Sequence, residues 1–149
     1  MENLQAGNTL FLRDGIVISE AELRHIVTSE MIRVGLMPSL TGFRYFKELI
    51  MASLQKEFES YRIMELYSYA AKQFSLRSDA LERSVRTLVT SSFYGSNGFP
   101  VLVKFFGIKS IELPSVGQAL ALMNEYIMFG LFEKSVNGNG SEFPKQRFV

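Results

Sequence analysis

Arg83 and Arg86 stand three positions apart in the run Ser78–Phe93, SDALERSVRTLVTSSF. On a helix that spacing brings both guanidinium groups to one face. A guanidinium presents forked donors that match guanine O6 and N7, or the oxygens of a phosphate. The same face would carry Asp79, Glu82, Thr87 and Thr90. Such a set can recognise a nucleic acid through charge and through hydrogen bonds to base edges. The pattern also describes solvated charges on an ordinary amphipathic helix, and spacing alone does not separate the two readings.

Other chemistries find no residue set. The chain has one histidine, His25, and no cysteine. A lone histidine is far more often structural or exposed than a metal ligand, and no Ser–His–Asp arrangement can be argued from it. No glycine-rich loop sits between a strand and a helix, and Gly138 and Gly140 belong to the C-terminal segment. The acids Glu48, Glu57, Glu59 and Glu65 are scattered in the usual solvated pattern. The expectation is a protein that is not an enzyme and carries no metal and no cofactor.

The arginines need a helix held at a defined angle. Ile63, Leu66, Tyr67, Ala70, Ala71 and Phe74 fall at helical spacing, which predicts a helix from Ile63 to about Phe74. Ser75, Leu76 and Arg77 break the pattern. Ser78 is a suitable N-cap, and Asp79 suits the positive end of a helix dipole. A second helix then runs from Asp79 to about Phe93, burying Leu81, Val85, Leu88 and Ser92. The small Ala71 allows a close crossing. Two helices joined this tightly follow the logic of a helix-turn-helix, whose second helix enters the DNA major groove.

The other elements must build a body around that pair. Leu10–Leu12 and Ile16–Ile18 flank Arg13-Asp14-Gly15, a hairpin signal, and the hairpin should pack on its own helices. Ser19 and Glu22 read as a capping box for a helix from Glu20 to Val34 that buries Leu23, Ile26, Val27, Met31 and Val34 and stops at Gly35. The next helix starts at Leu40-Thr41-Gly42 and extends to about Glu57, with Phe46, Leu49, Ile50, Ser53 and Leu54 inside and Arg44, Lys47 and Glu48 outside. Tyr94–Gly98 reads as a loop, Pro100–Phe106 as a short helix stopped by Gly107, and Ser115 with Gln118 as a capping box opening the last helix. The architecture expected is all-α, about six helices in a bundle, with a short N-terminal β-hairpin. Residues 1–19 form an extension, 20–132 the helical domain and 133–149 a flexible tail.

At 149 residues the chain fits one domain, and its net charge is only +1. A nucleic-acid role therefore needs a local basic face, not a general positive field. MENLQAGN lacks the features of a signal peptide, and Ala119–Phe132 is interrupted by Asn124 and Glu125 and too short to span a bilayer. With no cysteine, a reducing, cytoplasmic location is expected.

Several stretches in order carry a resemblance. Leu40–Ile50, LTGFRYFKELI, then Leu66-Tyr67 with Ala71–Phe74, then Leu81–Arg86, LERSVR, then Phe105-Phe106-Gly107 and Leu113-Pro114-Ser115 are similar to landmarks of one family. Residues of about 23 to 128 resemble the C-terminal effector domain of the stage-zero A sporulation response regulator of endospore-forming bacteria. The resemblance implies six helices around a helix-turn-helix, binding to double-stranded DNA on direct repeats, and contact with the transcription machinery. Glu82, Arg83 and Arg86 carry over as base-reading positions, with Glu82 orienting the arginines or accepting from cytosine. Lys72 and Arg77 would contact phosphates, and Ser78, Thr87 and Thr90 lie along the same surface. One family arginine is missing, because Ala80 occupies its place. Only about twenty residues precede the similar region, too few for a phosphoacceptor receiver. Binding is then expected to be either constitutive or controlled by dimerisation, abundance or a partner. The partners expected besides DNA are a second copy of the chain or RNA polymerase, with no membrane role. Two functions stay open: a sequence-specific transcription regulator, and an interaction module of the same fold that has lost base readout and binds a regulator or polymerase.

Overall fold

The computed structural model describes residues 8–137. The signal-peptide reading of residues 1–7 and most of the expected tail, 138–149, lie outside them. Within them the fold is all-α. Six helices are preceded by a two-stranded antiparallel hairpin, β1 (Thr9–Phe11) and β2 (Val17–Ser19). The helices are α1 (Glu20–Val34), α2 (Gly42–Ser53), α3 (Ile63–Gln73), α4 (Ser78–Gly95), α5 (Pro100–Phe106) and α6 (Val116–Asn137).

Local signals place several boundaries where the sequence puts them. The Ser19 hydroxyl accepts from the Glu22 N–H at 3.1 Å, and Gly35 ends α1 in the left-handed region at φ 109°. Only this half of the capping box is made, and the Glu22 carboxylate accepts from Lys134 on α6. At α6 both halves form: Gln118 N–H donates to the Ser115 hydroxyl at 3.1 Å, and Ser115 N–H donates to the Gln118 side chain at 2.9 Å. The helix runs on to Asn137, past the 132 boundary expected for the domain.

The hairpin pairs Leu10 with Ile18 and Phe11 with Val17. Its connection contains one 3-10 turn over Arg13–Gly15, yet the backbone is not helical throughout, since Asp14 (φ 61°) and Gly15 (φ 76°) are both left-handed. These are the positive φ angles that an Asp-Gly turn supplies. Leu12 and Ile16 turn inward and are buried, while Phe11 and Val17 face solvent. Leu12 bridges to Gln55, and Arg13 N–H donates to the Leu54 carbonyl at 3.2 Å. This docking explains why α2 stops at Ser53 and not near Glu57: the chain there turns extended at Gln55 to meet the hairpin, then makes a 3-10 turn over Lys56–Phe58.

α2 is the hub, packing against α1, α3, α4 and α6. Nearly its whole surface is covered, with Phe46, Leu49, Ile50 and Leu54 fully buried. Glu48 is not on the wet side, because it forms an ion pair with Arg24 of α1 and its side chain is 14% exposed. Three polar ties cross the core. Asn124 of α6 donates to the Ser53 carbonyl at 3.0 Å, the Tyr126 hydroxyl donates to buried Glu30 at 2.6 Å, and Met37 N–H donates to the Ser92 hydroxyl at 3.0 Å. Each leaves a buried polar group partnered, as burial demands.

Candidate nucleic-acid interface

The pair α3–α4 is built as the apolar spacing predicts. Leu66, Tyr67, Ala70 and Ala71 of α3 and Leu81, Val85, Leu88 and Ser92 of α4 are buried. The connection is a helix-ending turn in which Ser75 N–H donates to the Lys72 carbonyl at 3.2 Å and Leu76 N–H to the Ala71 carbonyl at 2.9 Å. Ser75 takes the left-handed conformation at φ 55°, where glycine is commoner, and Leu76 tucks against the core. Ser78 is not the N-cap that the sequence suggests. Arg77 holds that position, with no capping side chain, and α4 begins at Ser78. The tight turn starts the helix one residue early, and the Ser78 hydroxyl pairs with that of Ser68 on α3 at 3.1 Å.

α4 is set at its depth by α2. A Cβ on Gly42 would lie 2.3 Å from the Ser84 carbonyl oxygen and 3.1 Å from the Leu88 Cβ. The start of α2 therefore rests on the backbone of α4, with no side chain between. At its other end α4 runs to Gly95, into the segment read as a loop, and Phe93 meets Phe99 edge-on at 5.6 Å.

With the buried side fixed, the outward side follows. Arg77, Asp79, Arg83, Arg86 and Thr87 are exposed, as is Lys72 at the end of α3. Glu82 is partly covered, its side chain 28% exposed beside Tyr67 of α3, whose phenol burial and the Glu82 charge push up in pKa. Thr90 and Ser78 are also half-buried. The structure brings Arg77, Asp79 and Arg83 together, and separately Glu82 and Arg86, whose closest approach is 3.2 Å. Asp79 is held below the usual carboxylate range, chiefly by its hydrogen bond from Arg77. Arg44 of α2 was not among the sequence candidates. It is exposed and stands over the Phe74 ring at 5.0 Å, which adds a cation beside the turn. Periodicity gives the exposure of Arg44, but its place beside the turn depends on Phe74, distant in sequence. His25 is exposed on α1, and among the described residues no group of three or more His, Cys, Asp or Glu is placed to hold a metal ion.

The helical bundle thus presents on α4 a face where Arg83 and Arg86 stand beside the acids Asp79 and Glu82. The sequence profile described as "Sporulation initiation factor Spo0A C terminal" matches residues 27–127, and the chain belongs to that family. The family is a response-regulator effector domain that binds DNA and regulates transcription in sporulation. No curated protein and no solved structure gives a significant match. Among the described residues no helix is long and apolar enough to cross a membrane.

Proposed function

We propose that the chain is a sequence-specific transcription regulator that binds double-stranded DNA through α3 and α4, used as a helix-turn-helix. α4 lies in the major groove. Arg83 reads or clamps a base, Arg86 holds a phosphate or a guanine edge, and Glu82 orients Arg86 or accepts from cytosine. Lys72, Arg77 and Ser78 contact the backbone, with Thr87 and Thr90 at the far margin of the footprint. The observation that carries this is the opposition on one helix: Leu81, Val85 and Leu88 fully buried, Arg83 and Arg86 exposed on the other side, in a chain of this DNA-binding family. The test is selection of bound sequences from random DNA, followed by binding of the selected site across salt concentrations. A defined motif and a falling affinity with salt support the reading. Absence of salt-dependent binding at micromolar protein, also after Ala80→Arg restores the arginine implied by the family resemblance, would remove it.

A second reading draws on a specific feature. The arginines of the face each approach an internal acid, and net charge is only +1. On this reading the domain is an interaction module that binds a second copy of itself, a related regulator or RNA polymerase. Failure of the DNA test together with capture of purified polymerase would favour it.

A further inference from the structure

We propose that Asp79 sets the DNA affinity of this surface downward, its carboxylate holding Arg77 and Arg83 in an internal bridge that a DNA phosphate or guanine edge must displace. This deepens the reading of α4 as the recognition helix and rests on it. Both carboxylate oxygens are engaged. Oδ1 accepts from Arg77 Nε at 3.1 Å, and Oδ2 accepts from Arg77 Nη2 at 3.4 Å and lies 3.9 Å from Arg83 Nη2. Two oxygens between two guanidinium groups is the arrangement a phosphate would take. Asp79 also sits in the first turn of α4, where the free N–H groups and the helix dipole favour an anion. One side chain thus occupies the two nearest cations and stands in the positive end of the helix field.

The bridge is not locked. The side chains of Arg77, Asp79 and Arg83 are 85%, 58% and 64% exposed, so no packing holds them in place. An exposed ion pair is weak and opens readily. The consequence is attenuation and not a block: binding must break the bridge, and the displaced carboxylate then lies close to the phosphates. Glu82 and Arg86, one turn on, differ in kind. They make a single contact, and Glu82 is held against α3 by partial burial.

The experiment measures binding of the intact chain to its selected DNA by wild type, Asp79→Asn and Glu112→Gln. Glu112 is exposed in the connection between α5 and α6 and controls for net charge alone. Asp79→Asn should tighten binding by about fivefold to tenfold at low salt and steepen the salt slope by about one unit, and Glu112→Gln should do much less. In an Arg77→Ala, Arg83→Ala background the gain from Asp79→Asn should shrink, leaving only the part that comes from the carboxylate lying near the phosphates. Equal gains at both acids, or a gain undiminished in that background, would overturn the bridge as the cause. Unchanged or weaker binding by Asp79→Asn, where wild type binds, would overturn the proposal and leave the DNA reading standing. If neither protein binds, the DNA reading itself falls and takes the proposal with it. NMR titration of the Asp79 carboxyl checks the bridge without DNA: its pKa should rise in Arg77→Ala, and an unmoved value would overturn the bridge.

Discussion

Gly42→Ala should displace α4 from inside the molecule. The added Cβ would meet the Ser84 carbonyl oxygen at 2.3 Å and its carbon at 2.8 Å. Both are backbone atoms in the middle of α4, so no side chain can rotate away. Restoring an ordinary contact means moving the start of α2 and α4 apart by about 1 Å, which loosens the packing of Phe43, Phe46, Val85 and Leu88. Overpacking of this kind typically costs about 1–3 kcal/mol, and a backbone clash belongs at the upper end. The gain in helix propensity from glycine to alanine offsets at most about 1 kcal/mol, and less at a first helical position. The net loss should be about 2 kcal/mol, read in urea or guanidinium melts as a lower midpoint at unchanged slope. For a chain of this size the melting temperature should fall by roughly 4–8 °C. Gly117→Ala is the internal control, because a Cβ there meets nothing within 4 Å. It should be neutral or slightly stabilising. Equal stability of Gly42→Ala and wild type would refute the close approach, and the placement of α4 with it.

Leu81→Ala should cost about 2–5 kcal/mol in the same melts, since the side chain is fully buried against α3; a loss well below 1 kcal/mol would mean that α4 faces the other way. Arg83→Ala should lower affinity for the selected DNA by about 1–3 kcal/mol and relax preference at one position, whereas Arg86→Ala, if it meets only phosphate, should weaken all sequences alike and shallow the salt slope by about one unit. Stability should fall as pH rises above the ordinary tyrosine value of about 10. Buried Tyr126, donating to Glu30, keeps its proton in the folded state well beyond that value, while the unfolded chain releases it. The unfolded state then binds fewer protons, so each such tyrosine contributes a loss of up to about 1.4 kcal/mol per pH unit, and Tyr126→Phe should flatten the alkaline limb of a stability–pH curve.

What could be read from the sequence was local. Ser19 and Gly35 bound α1, Pro100 and Gly107 bound α5, and the apolar spacing of Leu81, Val85 and Leu88 orients α4; each signal lies within a few residues of its effect. What could not be read depends on distant partners. Glu30 looks like any helix-surface acid until Tyr126, in α6, reaches it. Glu48 is drawn inward by Arg24, and the end of α2 is moved by the hairpin bridge from Leu12 to Gln55. Gly42 reads as a helix-start residue, and only Ser84 makes it a contact point. At the candidate interface, exposure of the arginines followed from periodicity. Their pairing with Asp79 and Glu82 follows the i,i+4 spacing, while the second contact of Asp79, to Arg77, depends on the turn that places Arg77 before the helix.

The two sides of α4 are subject to different constraints. Its inner side is fixed by full burial of Leu81, Val85 and Leu88 and by a backbone contact at Ser84, so a change there moves the helix. Its outer side contributes little to folding, because exposed ion pairs are worth little to stability. A domain built this way can hold a recognition helix at constant depth while the charges on its first turn vary freely. Uncharged Ala80 and Asp79, which bridges Arg77 and Arg83, both fall in that first turn. On the proposed reading of α4 as the DNA-contacting helix, such charge changes alter affinity at a position where the fold does not resist them.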